Sequence, residues 1–214
     1  MTRILYLPAA LGLALFAGCE LPVSVHPLSD ETTSTLDERL IGNWEMVPLA
    51  EQTPGPSDVP PRVIFGKFAG KANILECVTT ELDGDGFAQV HRIPLYPCKF
   101  GELHYLSVIM SPDEPKEKQA YLIMLYELKD ENELQFHLMN KDIIGPAIER
   151  EDIAGVVRKS DPDPNAPPAE QVKPRYKEVR ITAEPKDLAA FLQRRGKAAF
   201  HMQEFMAFRR IDPK

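Results

Sequence analysis

Short apolar runs set the pattern of this chain. Seven segments carry the alternation, or the β-branched and aromatic content, of strands: Gly42–Pro48, Arg62–Phe68, Ala72–Leu82, Phe87–Leu95, Leu103–Met110, Gln119–Lys129 and Glu133–Asn140. Leu134, Phe136 and Leu138 alternate with Gln135 and His137, giving one apolar and one polar face. Tyr121–Tyr126 is apolar without a break, which predicts a strand covered on both faces. Asp83-Gly84-Asp85-Gly86 and Lys129-Asp130-Glu131-Asn132 read as hairpin connections. Two further strands are predicted at Glu178–Ala183 and Glu204–Ile211, with a helix between them. In that helix Pro185 suits the first position and Asp187 the first turn. Leu188, Phe191 and Leu192 share a face, Arg194 and Arg195 fall in the last turn, and Gly196 is placed for the cap. A weaker short helix is predicted after Pro146, through about Glu151. The expected fold is mostly β: an antiparallel meander forming a barrel or a strongly coiled sheet, with one C-terminal helix before the last strand.

Composition sharpens this picture in two places. The 20 prolines are about twice the usual share, and most fall in the N-terminal segment, the Pro48–Pro61 loop and the excursion over residues 160–174. The strands are left largely clean. With 25 Lys+Arg against 32 Asp+Glu, the net charge of −7 argues against a nucleic-acid partner, which needs clustered cations to neutralise phosphates.

The first nineteen residues have their own logic. Arg3 precedes an uncharged run from Ile4 to Gly18, the layout of a secretory signal, and the run is too short to span a bilayer. Leu15-Phe16-Ala17-Gly18-Cys19 resembles the bacterial lipobox, with Phe16 departing from its usual residue type. The resemblance implies a signal peptide over residues 1–18 and a lipidated Cys19, which anchors the chain to a membrane of the bacterial cell envelope. Glu20 stands where an inner-membrane retention signal would have Asp, which favours the outer membrane. Residues 19–35 are then expected to be a tether, and residues 36–214 the folded domain. Cys77 and Cys98 remain, in a compartment that permits a disulfide. A hairpin at Asp83–Gly86 sets Cys77 opposite about Arg92, six residues short of Cys98, which argues against a simple bridge.

Gly42-Asn43-Trp44 is similar to the G-x-W signature that opens the first strand of lipocalins and the wider calycin group. The resemblance implies a barrel whose long first loop, here Pro48–Pro61, partly covers the mouth. It also implies an arginine from a late strand, Arg209 or Arg210, across the ring of Trp44. The segments His26–Asp30 and Asp37–Gly42, and an ending of the form Phe208-Arg209-Arg210, are similar to small bacterial lipoproteins.

Candidate chemistry is sparse. The five histidines form no H-x-H or H-x-x-x-H pair, and no C-x-x-C exists. A metal reading would need His91, His104 and His137 to converge on one barrel face. Asp83–Gly86 lacks the remaining ligands of a calcium loop, and Ser107 and Ser111 have no nucleophile motif around them. No catalytic residue, cofactor or metal is therefore assigned. Two readings stay open: a non-catalytic envelope lipoprotein holding a small apolar ligand in its barrel, or a filled barrel serving as a structural or protein-interaction module, through a sheet face or the 160–174 segment.

Overall fold

In the computed structural model residues 21–47, 61–82, 88–110, 114–115, 118–159 and 176–211 are described. Cys19 and the signal-like stretch, nearly all of the Pro48–Pro61 loop, the Asp83–Gly86 turn and the 160–174 excursion lie outside them.

Eight strands close on themselves. β2 (Gly42–Val47), β3 (Arg62–Lys67), β4 (Leu75–Leu82), β5 (Ala88–Phe100), β6 (Leu103–Ile109), β7 (Tyr121–Leu128) and β8 (Glu133–Met139) pair antiparallel in sequence order. The last strand, β11 (Phe200–Arg210), pairs with both β8 and β2 and completes an antiparallel barrel. Closure removes the exposed edges that an open meander would leave.

β5 runs five residues beyond its expected end, past Pro97, and also contains Pro94. It pairs with β4 only up to Leu95 and with β6 only from Leu95 onward. Each half thus has one side free of ladder partners, the setting in which a strand tolerates proline.

Alternation along these strands builds two cores. The inner one fills the barrel and includes Trp44, Phe65, Leu106, Met124, Phe136 and Phe208. The outer one lies against the β5–β8 wall, where Cys98, Tyr105, Ile123 and Leu125 face two helices. β7 feeds both cores, which is why its sequence is apolar throughout.

The outer layer consists of α1 (Lys141–Glu149), the hairpin of β9 (Gly155–Lys159) and β10 (Tyr176–Ile181), and α2 (Pro185–Arg195). α2 starts at Pro185, buries Leu188, Phe191 and Leu192, and ends at Gly196 with φ +57°. α1 departs from expectation, because Pro146 lies inside it rather than before it. Asn140 starts the helix by accepting a hydrogen bond from the Asp142 N–H at 2.9 Å. Burial of Ile144, Ala147 and Ile148 in the outer core offsets the bond that Pro146 cannot donate. Gly145 lets the Tyr176 ring approach so closely that a Cβ would stand 2.6 Å from it.

The expected tether is also corrected: residues 21–35 belong to the fold. β1 (Val23–Ser24) pairs in parallel with β10 and antiparallel with the start of β7. Leu28 is buried in the outer core, and its N–H donates to Ser107 Oγ at 2.9 Å. Ser29 and Ser34 are buried, and the Thr35 N–H donates to the Pro97 carbonyl at 2.8 Å. Scattered prolines and serines concealed these long-range contacts.

Candidate functional site: the closed end of the barrel

One end of the barrel is closed by a 3₁₀ turn, Glu38–Leu40, that leads into β2. Asp37 caps it, accepting a hydrogen bond from the Arg39 N–H at 3.1 Å. Trp44 is fully buried beneath the turn and donates from Nε1 to the Leu40 carbonyl at 2.8 Å.

Arg210, at the end of β11, lies over the Trp44 ring with its guanidinium carbon 4.2 Å from the centroid. It also donates to the carbonyls of Glu131 at 2.9 Å, Ile41 at 2.7 Å, and Arg39. One cation thus joins the β7–β8 hairpin, the 3₁₀ turn and β2. Gly42 makes room for it, because a Cβ there would stand 2.1 Å from Arg210 Nη1 and the backbone has φ +147°. Gly42, Trp44 and Arg210 therefore form one unit. Arg209 does not take part; it points to solvent on the alternate face of β11.

Beside this unit lies a polar cluster that no sequence motif marks. The Asp37 carboxylate accepts from Arg39 Nε and Nη2 at 2.8 and 2.7 Å and from the Tyr126 hydroxyl at 3.0 Å. His104 Nδ1 stands 3.4 Å from the Tyr126 hydroxyl and 3.8 Å from Asp37. Burial works against ionisation of Asp37, but the bonds from Arg39 and Tyr126 outweigh it and hold the carboxyl below its usual range. Burial lowers His104 and raises Tyr126. Every group already faces a partner, so the cluster works as a latch between the 3₁₀ turn and strands β6 and β7. Tyr126 and Asp37 are 89 positions apart, which explains why no local pattern joined them. A shallow cleft of about 270 Å³ opens here, lined by Arg39, Leu128, Asp130, Glu131 and Arg210.

The histidines do not converge. His104 faces the latch, His137 is buried on the outer face of β8 beside Glu127, and His91 is exposed near the start of β5. Among the described residues no group of three or more His, Cys, Asp and Glu is placed to hold a metal. Ser107 is buried and accepts the Leu28 N–H, a structural role, while Ser111 lies outside the described residues.

Cys77 and Cys98 are both free and buried. Cys77, on β4 opposite Ile93, belongs to the inner core, and Cys98, on β5, faces the outer core. A second and larger cleft, about 800 Å³, runs between residues 26–33 and α2; Pro27, Phe100, Tyr121 and Ala189 are among its lining. No family model matches the chain, and neither a curated protein nor a solved structure is similar to it.

Proposed function

We propose that this protein is a non-catalytic lipoprotein of the bacterial cell envelope, anchored through an acylated Cys19. Its lipocalin-like barrel serves as a structural or protein-interaction module, facing the periplasm from the outer membrane. The observation that carries this reading is the state of the barrel interior. Trp44, Phe65, Tyr126, Phe136 and Phe208 each have at most 2% of their surface exposed. Rings pack edge to face or tilted across the lumen, with Phe136 centred 6.1 Å from Phe65 and 5.6 Å from Phe208. A barrel of eight strands has room for either its own side chains or one small ligand, and here the side chains occupy it. The unit of Gly42, Trp44 and Arg210 at the closed end supports the lipocalin-like part of the reading.

The test combines labelling with mass measurement. The full chain should incorporate labelled palmitate in a bacterial host, and Cys19→Ala should abolish it. The native mass of the gently purified protein should equal the polypeptide plus its acyl groups. Persistence of the label in C19A would sink the anchor. A co-purifying apolar molecule would favour the second reading, a small ligand held at the barrel mouth. That reading draws on Met46, Met110, Leu138 and Met206, which are half-buried against the inner core. Deleting residues 160–174 tests their part in partner binding: unchanged partner recovery would leave the sheet face as the interaction surface.

A further inference from the structure

We propose that the outer face of the β1–β10–β9 ribbon is a membrane-facing surface that rests on anionic phospholipid headgroups. The inference builds on the acylation of Cys19 and adds an orientation to it. The chain enters the fold at this ribbon. Leu21 packs against the inner core, and Val23 pairs in parallel with Arg180. Only Glu20 separates Leu21 from Cys19, and two residues span at most ~7 Å. That reach is no greater than the ~5–10 Å depth of the headgroup boundary. Since residues 21–35 are built into the domain, no slack remains to hold it off the bilayer.

The chemistry of the ribbon fits that position. Tyr176, Val179 and Ile181 are buried in the outer core, so the alternate positions face away from it. The register places Val156 opposite Arg180 and Arg158 opposite Glu178, with Val23 on the other side of Arg180. Lys177 is exposed at the irregularity between Tyr176 and Glu178. Arg158 meets Glu178 at 3.2 Å, whereas Arg180 and Lys177 form no ion pair among the described residues. Val156 is 57% exposed in the middle of this face. Three cations, one carboxylate and an exposed valine make a basic, partly apolar surface on a chain of net charge −7. An anionic bilayer attracts such a face and repels the acidic remainder. Each cation near the surface contributes roughly fivefold to the partition.

The experiment reads orientation directly. Lipidated full-length protein is reconstituted in phosphatidylcholine vesicles with and without phosphatidylglycerol. A fluorophore is attached at Val156→Cys or, as control, at Ile64→Cys, which is 49% exposed on β3 across the barrel from β7. Cys77 and Cys98 are buried and compete little for the label. Nitroxide-headgroup lipids should quench the label at 156 several-fold more than at 64 when phosphatidylglycerol is present. The triple variant R158Q/K177Q/R180Q, with folding checked by circular dichroism, should erase that difference, as should high salt. Equal quenching at the two sites in protein whose N-terminal peptide carries its acyl group would overturn the proposal. If that peptide carries no acyl group, the anchor reading fails instead, and flotation with phosphatidylglycerol vesicles decides the ribbon. Loss of flotation in the triple variant would support the surface; failure of the parent protein to float would overturn it.

Discussion

At the residue scale, the closed end of the barrel depends on Arg210. It is 8% exposed, donates to three backbone carbonyls and lies over the face of Trp44. The planar guanidinium donates in several directions within one plane while stacking on the ring, which a lysine ammonium cannot do. Arg210→Lys should therefore leave some of these carbonyls unpaired and lose the stacking on Trp44, destabilising the protein by about 3 kcal/mol. Arg209→Lys, on the exposed face, should stay within ~0.5 kcal/mol of the parent. Denaturant unfolding measures both, and Trp44 is the only tryptophan, so its emission reports the same site. Equal stability of the two variants would remove Arg210 from this role. Gly42→Ala should resemble R210K. The added methyl meets a guanidinium fixed by its hydrogen bonds, and the positive φ adds strain of its own.

At the element scale, β7 joins the two cores and also the turn that introduces β11. Glu127, near its end, accepts hydrogen bonds from Lys129 at 2.6 Å and from Lys197 in the 3₁₀ turn Gly196–Ala199. Its carboxylate stands 3.5 Å from Nε2 of the buried His137. Burial raises the cost of ionising Glu127, but the two lysines outweigh it and hold the carboxyl at about 2, below its ordinary 4.5. Because the folded value is depressed, this contribution is fully present above pH 4.5 and is lost as the pH falls from there towards 2. Stability measured across that window should decline in the parent and decline less steeply in Glu127→Gln. Parallel slopes would mean that the lysines do not stabilise the fold through this carboxylate.

The same strand shows what was legible in the sequence. An unbroken apolar run required cover on both sides, and alternation in β8 marked which residues turn inward. The contributions of residues 21–35 and of β9 were not legible. β1 has two residues and β9 five, too short for a periodicity to register, and β1 is held by residues as distant as Arg180, the partner of Val23. The helix around Pro146 was misplaced for a related reason. Local chemistry puts proline at a helix start, whereas here tertiary burial of Ile144 and Ile148 carries the helix through it.

At the scale of the whole molecule, the wall from β5 to β8 is a partition with an apolar core on each side. The cysteines mark the two sides, Cys77 within the barrel and Cys98 beneath the outer layer. Burial pushes the Cys77 thiol up to about 12 and the Cys98 thiol up to about 11, so both are poor nucleophiles while the layers stay closed. A thiol reagent should find neither in the native protein and both after full unfolding. The order of labelling under mild denaturant then reports how the layers come apart. The outer core is held by two helices, a hairpin and the N-terminal segment, elements that can lift individually. The barrel is a closed ladder in which each strand has two neighbours, so opening it breaks many backbone bonds together. Cys98 should therefore be modified at lower denaturant than Cys77, as followed by mass spectrometry of the labelled peptides. Truncating the chain through Leu28 should widen the gap by loosening the outer layer alone. Simultaneous labelling would show that the two cores unfold as one cooperative unit, and earlier labelling of Cys77 would place the weaker side of the partition inside the barrel.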